Sequence, residues 1–123
     1  MEENFYKSII ENAPLGCATF EIVYNNNGAP CDYRFLDINS KFEQLTNSKA
    51  VDVKGRLFSE VGAALGKEEI DRRIAEYAKI AIEGGEQTFE YTTPDGKEIL
   101  RTHAISPQKG YFTLFAEKIK TNT

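Results

Sequence analysis

The chain has 123 residues, a formal net charge of −4 and a hydrophobic fraction of 41%, which describes one domain with a real core and excludes wholesale disorder. Net negative charge without a basic run argues against a nucleic-acid backbone as the main partner. No apolar run approaches the roughly 20 residues a bilayer span needs, and Glu2, Glu3 and Lys7 interrupt any apolar leader, so a cytoplasmic setting is the expectation.

Residues 3–12 read as an amphipathic helix, with Phe5 and Ile9, and Tyr6 and Ile10, at i, i+4, stopped by Pro14. Gly16–Tyr24 reads as a strand. It carries Phe20, Ile22 and Tyr24 on one face and Cys17, Thr19, Glu21 and Val23 on the other. Asn25, Asn26, Asn27 and Gly28 form a turn signal. Residues 32–38 return as a strand in which Tyr33, Phe35 and Ile38 are interrupted by Arg34 and Asp37. That strand runs almost without a loop into a helix. Asn39 or Ser40 can cap it, Glu43 stands three residues after Ser40 as in a capping box, and Phe42 and Leu45 share a face.

Ser48 can cap a short turn of helix that Gly55 ends, and Leu57, Phe58 and Val61 suggest another. Lys67–Glu83 is the one long helix. Its apolar stripe is Ile70, Ile74, Tyr77 and Ala81, widened by Ala78 and Ile82, with Glu68–Arg72 and Glu69–Arg73 as ion pairs on the wet side and Gly84-Gly85 as the C-cap. Three strands follow. They are residues 87–92, with Phe89 and Tyr91 on one face, then Glu98–Ile105 after a Pro94-Asp95-Gly96 turn, and residues 111–116, apolar on both faces.

This order gives an α+β fold, a five-stranded antiparallel sheet with helices on one face and an additional N-terminal helix. It resembles the PAS domain, a sensory module of bacterial signalling proteins. The resemblance spans residues 11–116. It is carried by Ala13-Pro14-Leu15-Gly16, residues 32–39, Phe42, Gly55 and Gly110-Tyr111-Phe112. In that family an Asn commonly ends the second strand and a Phe follows three residues later, as Asn39 and Phe42 do. Where the family often closes on Asp-Ile-Thr, this chain has Glu117-Lys118-Ile119-Lys120-Thr121. The expected organisation is a cap helix over residues 1–13, a PAS-like domain over 14–118 and a tail over 119–123. The tail leads towards an effector that these residues do not contain, so the chain reads as an excised fragment.

Chemistry-bearing residues are sparse. There are two cysteines, Cys17 and Cys31, and no CxxC; two buried thiols are expected rather than a disulfide. With one histidine, His103, a four-ligand zinc site is not expected. His103 shares a strand face with Ile99, Arg101 and Ile105, which reads as the outer face of the sheet. The PAS resemblance implies a haem ligand from the long helix, where residues 67–83 hold no histidine. It implies a photochemical flavin cysteine near residues 54–58, where there is none. Haem and covalent flavin are therefore disfavoured, and non-covalent flavin stays open. Asp37, Glu21 and Glu90 form no constellation with a base or nucleophile, and Gly62 and Gly66 are too isolated to cradle phosphate. The fragment is not expected to be an enzyme.

Both parities of the strands carry large apolar groups: Tyr111 and Phe115 against Phe112 and Leu114, Phe20 and Ile22 against Val23, and Ile99 and Ile105 against Leu100. One face packs on the helices. The other needs a cover, either the N-terminal helix or a second copy of the domain, and a homodimer through the outer sheet face and N-terminal helix is predicted. The inner face assembles a candidate pocket. Ile38, Phe42, Leu45, Leu57, Ile74, Tyr77 and Ala78 come from the helical side, and Leu100, Thr102, Ala104, Phe112 and Leu114 from the sheet. Such a lining suits a small ligand and also a filled core, which is the favoured state of the two. The leading function is a sensory or regulatory module that binds a small molecule or relays a conformational change to an attached histidine kinase or diguanylate cyclase. A passive homodimerisation module with a filled core is the alternative. An enzyme of the cone-shaped ketosteroid-isomerase type is a weaker one, because its long helix comes first.

Overall fold

A computed structural model describes residues 2–93 and 96–121. Helix α1 (Glu2–Glu11) precedes strands β1 (Gly16–Tyr24) and β2 (Pro30–Ile38). Helices α2 (Ser40–Thr46), α3 (Ala50–Val53), α4 (Phe58–Val61), a 3-10 turn (Ala63–Leu65) and the long α5 (Lys67–Glu83) follow. Strands β3 (Glu86–Thr92), β4 (Glu98–Ile105) and β5 (Tyr111–Thr121) close the chain. The sheet order is β2-β1-β5-β4-β3, antiparallel throughout. The first and last strands in sequence therefore lie side by side at its centre, with Phe20 opposite Phe112 and Ala18 opposite Leu114. The expected Pro94-Asp95-Gly96 turn falls partly on Pro94 and Asp95, which lie outside the described residues.

The apolar parity of each strand faces the helices. Phe20 stacks on Phe112 at 4.8 Å between ring centroids and meets Phe35 edge-on at 4.9 Å. Phe112 in turn stacks on Tyr77 of α5 at 4.9 Å, and Tyr33 on Phe58 of α4 at 4.5 Å. Interlocked rings of this kind add about 1 kcal/mol per pair beyond the area they remove from water. The long helix buries Ile70, Ile74, Tyr77, Ala78 and Ala81 as its spacing dictates, and also Ile80. It stops where Gly84 and Gly85 adopt φ of 85° and 90°, a conformation open to glycine.

The β2–α2 joint turns on Asn39, the N-cap, whose side-chain oxygen accepts from the Phe42 amide. Ser40 and Glu43 do not form the expected capping box. Glu43 reaches forward, and its Oε2 accepts from the Ala50 amide at 2.6 Å, tying the start of α3 to α2. Arg72 likewise departs from its expected partner Glu68 and pairs with Glu69 and Glu76. Glu69 holds Arg73 as expected, at 2.6 Å, but Arg73 lies against the protein rather than on the wet side. Strand β5 runs on to Thr121, opposite Glu98, five residues past its expected end. The alternation of Ile119 with charged neighbours suits an edge that still finds β4 beside it.

Helix α1 does not bury its apolar stripe. Phe5, Tyr6, Ile9 and Ile10 are all exposed, Tyr6 at 63%. The helix is held at its C-terminal end, where Asn39 donates to the Ile10 carbonyl and Ser40 to the Glu11 carboxylate. Of the two cysteines expected to be buried, Cys17 is, and Cys31, near the start of edge strand β2, is exposed; both are free thiols. Among the described residues no helix is long and apolar enough to cross a membrane.

Candidate functional site

Between the sheet and the α2–α4 layer lies a cavity of about 570 Å³, within the range of small-molecule sites. Phe20, Tyr33, Phe35, Phe42, Leu45, Phe58 and Leu114 supply much of its apolar wall. Gln44 to Ser48 at the end of α2 and Thr92, Thr93 and Glu98 from β3 and β4 also border it. Strand parity explains the sheet side, since inward residues recur every second position. The helical side follows from α2, whose Phe42 and Leu45 sit three residues apart on its inner surface.

One part of this wall is polar. Arg73 and Tyr77, four residues apart on α5, meet Tyr91 of β3. The Tyr77 and Tyr91 hydroxyls are 2.6 Å apart, and the Arg73 guanidinium lies 4.0 Å from the centre of the Tyr91 ring. Thr102 of β4 joins them. Its hydroxyl is buried and has no hydrogen-bond partner among the described residues. It lies close enough to the Tyr77 phenol to favour that group's ionised form, without a hydrogen bond of normal geometry. Burial nevertheless dominates and raises the pKa of Tyr77. It raises Tyr91 further, reinforced by the Tyr77 phenol beside it, and it raises Tyr33 as well. All three phenols therefore stay protonated.

Of the residues expected to line a pocket, Phe42, Leu45, Tyr77, Leu100, Thr102 and Leu114 meet at this cavity. Ile38, Ala104 and Phe112 are buried in the core away from it. Ile74 and Ala78 are core residues that border a separate open groove between α5 and the start of β2, together with Cys31 and Lys79. Leu57 is half-buried and pairs with Arg34 at the start of α4. The sequence reading missed Arg73 and Tyr91 as a pair. Their signal is the i, i+4 spacing of Arg73 and Tyr77 on α5, which the equal spacing of Glu69 and Arg73 hides by pointing to a solvated ion pair.

His103 occupies the outer face, opposite Phe115 of β5 and Thr88 of β3. Its ring lies 2.9 Å from the Thr88 hydroxyl and 3.4 Å from Glu86. Among the described residues no group of three or more His, Cys, Asp or Glu side chains is placed to hold a metal ion. The long helix follows two strands, which separates this topology from the cone-shaped isomerase arrangement.

No family model matches the chain, and no curated protein does. Solved structures do. The chain superposes on an RNA-binding light-oxygen-voltage receptor with a TM-score of 0.66 at 18% identity, covering 95% of this chain and 32% of that one. It matches the PAS domain of an HTR-like protein from Haloarcula marismortui with a TM-score of 0.58 at 17% identity, over 97% of this chain and 100% of that one. It also matches the photoactive yellow protein domain of the sensor histidine kinase Ppr from Rhodospirillum centenum, with a TM-score of 0.64 at 13% identity over 90% and 91%. The strand order, the helical layer on one face and these superpositions together define the fold: it is that of a PAS domain. The chain spans about a third of the light-oxygen-voltage receptor, and nearly the whole of the other two.

Proposed function

We propose that this chain is the sensory module of a larger cytoplasmic signalling protein, binding a small molecule between its sheet and helices. The cavity beneath α2 and α4 carries this reading, because it adjoins a ring-filled core yet keeps a buried hydroxyl without a partner among the described residues. Occupancy repacks α2 against β1, and the change biases an attached effector of the histidine kinase or diguanylate cyclase type. The Rhodospirillum centenum neighbour is a domain of a sensor histidine kinase, which supports the first effector class. In this reading residues 14–118 are the sensing unit, α1 is the joint to what lies outside it, and the effector follows residues 119–123 in the chain. The fragment itself performs no catalysis.

A thermal-shift screen of the purified chain against a small-molecule library tests this. Saturable stabilisation by at least one compound, lost on introducing Phe42→Trp to fill the cavity, is expected. A screen in which every compound leaves Tm unchanged overturns the ligand and leaves a passive interaction module. An absorbance spectrum from 300 to 700 nm reads haem and flavin directly.

A second part of the proposal concerns assembly. The exposed stripe of α1 and the half-buried Tyr111, Phe115, Ile99 and Ile105 on the outer sheet face are more apolar surface than solvent contact requires. We assign them to a homodimer. Sedimentation equilibrium that fits a monomer across the micromolar range overturns it.

A further inference from the structure

The polar part of the cavity wall is built from donors. Of the two phenols 2.6 Å apart, one donates to the other, so a single phenolic proton is left for a third group. The Thr102 hydroxyl is buried and unpartnered among the described residues. Arg73 gives its Nε to Glu69 at 2.6 Å, and the rest of its fork lies by the Tyr91 ring. The carboxylates nearby are engaged elsewhere: Glu69 with Arg72 and Arg73, Glu76 with Arg72, and Glu98 with Lys118 at 3.3 Å. Elsewhere the wall carries the rings of Phe20, Phe35, Phe42 and Phe58, beside the polar residues Gln44, Thr46, Asn47 and Ser48 at the end of α2. An occupant that satisfies both parts has a flat apolar body and an oxygen group rich in lone pairs.

We infer that the ligand is an aromatic carboxylate, its ring held among Phe35, Phe42 and Phe58 and its oxygens accepting from the Thr102 hydroxyl, the spare phenolic proton of the Tyr77–Tyr91 pair and the Arg73 guanidinium. This rests on the sensory-cavity reading and narrows it to one chemical class. The phenols serve as donors because burial keeps them protonated. Arg73 supplies the charge, and its planar fork matches a carboxylate edge.

The test is calorimetric titration of the whole chain with 2-naphthoate and with its neutral analogue 2-acetylnaphthalene. The acid is expected to bind about tenfold more tightly than the ketone, the gain typical of hydrogen bonds to a charged group. Arg73→Gln should abolish that preference and leave ketone binding unchanged. Thr102→Val should weaken the acid several-fold while raising the Tm of the empty protein, since it removes a buried hydroxyl that has no partner among the described residues. Circular dichroism of each variant confirms folding. Equal binding of acid and ketone, or a preference that survives both substitutions, overturns the carboxylate and leaves the cavity reading standing. If neither naphthyl probe binds, the carboxylate falls. The cavity reading falls with it only if the library screen also finds nothing.

Discussion

The hydroxyls of Tyr77 and Tyr91, 2.6 Å apart, join the long helix to edge strand β3. Both phenols, and Tyr33 on β2, have pKa values raised above the ordinary value near 10, chiefly by burial. Between the unfolded and folded values the native state holds protons that the unfolded state has lost. The contribution of these groups is therefore complete below about pH 10 and drains away as pH rises beyond it. Denaturant melts between pH 9 and 11.5 are expected to show stability falling above pH 10 by up to about 1.4 kcal/mol per pH unit for each such tyrosine. Three of the six tyrosines should ionise, by absorbance at 295 nm, only as the chain unfolds. Tyr91→Phe should cost about 1 kcal/mol at neutral pH through the lost hydrogen bond and make the alkaline slope shallower.

Asn39 gathers three segments at one buried side chain, 2% exposed. Its Oδ1 accepts from the Cys17 and Phe42 amides at 2.9 Å, and its Nδ2 donates to the carbonyls of Ile10 at 2.8 Å and Leu15 at 3.1 Å. Removing the group strands buried backbone partners as well as uncapping α2. Asn39→Ala is expected to destabilise by about 3 kcal/mol in urea melts with an unchanged m-value. Asn39→Asp separates the two roles, because it keeps an oxygen to accept from the Cys17 and Phe42 amides and loses the nitrogen that donates to Ile10 and Leu15. The α2 amides should then retain their hydrogen-exchange protection while those of α1 lose theirs. Protection retained in α1 would show that the Ile10 contact does not hold it.

The sheet was legible in the residues because parity and turn chemistry are local. Phe20, Ile22, Phe112 and Leu114 declare their face two residues at a time, and Gly84-Gly85 marks a stop by conformation alone. The long helix was legible to both its ends for the same reason. What the chain did not disclose depends on distant partners. Glu43 caps α3 instead of closing a box with Ser40, because the loop brings the Ala50 amide within its reach. The sequence shows the neighbour Glu69 that pairs with Arg73 but not the Tyr91 ring beneath it, 18 residues away, so Arg73 reads as solvated. Half of the expected pocket lining was displaced for a related reason. Ile74 and Ala78 are buried on the core face of α5 but towards Pro30 and Cys31 of β2 rather than at the cavity, and Phe112 is sealed by rings from Phe20 and Tyr77. The exposed stripe of α1 is a third case, since amphipathicity specifies an apolar face without specifying what covers it.

The two thiols should react differently although neither is bonded. Burial, with a smaller contribution from the negative Asp37, pushes the Cys17 thiol up to about 11. At pH 8 it is therefore almost wholly protonated as well as enclosed, and the thiolate is the reactive form. Cys31 is exposed. Iodoacetamide at pH 8 is expected to add one carbamidomethyl group to the native protein, at Cys31 by peptide mapping, and two in urea. Raising the pH to 9.5 should leave native Cys17 unmodified over the same period. Comparable labelling of both thiols without denaturant would place Cys17 in contact with solvent.

At Gly16 β1 packs directly on α2, and this position tests whether that contact sets the cavity wall. A Cβ there would stand 3.0 Å from the Phe42 Cα, 3.1 Å from the Leu45 Cδ1 and 3.2 Å from the Phe42 nitrogen. Leu45 can rotate aside, but the Phe42 backbone cannot move unless α2 shifts as a unit, and the Asn39 cap resists that shift. Gly16→Ala is therefore expected to cost about 2 kcal/mol, the usual penalty for overpacking. The backbone φ at this position is not in the left-handed region, so strain in the strand itself adds nothing to that cost. Because Phe42 and Leu45 both line the cavity, the displaced helix should also change ligand affinity in the screening assay. Gly62→Ala serves as the comparison: its Cβ would meet the Phe58 ring at 2.9 Å, on another wall of the same cavity. Loss of stability in both variants with altered ligand binding in both would mark the cavity as one packed unit. A Gly16→Ala protein as stable as the parent would show that α2 yields freely.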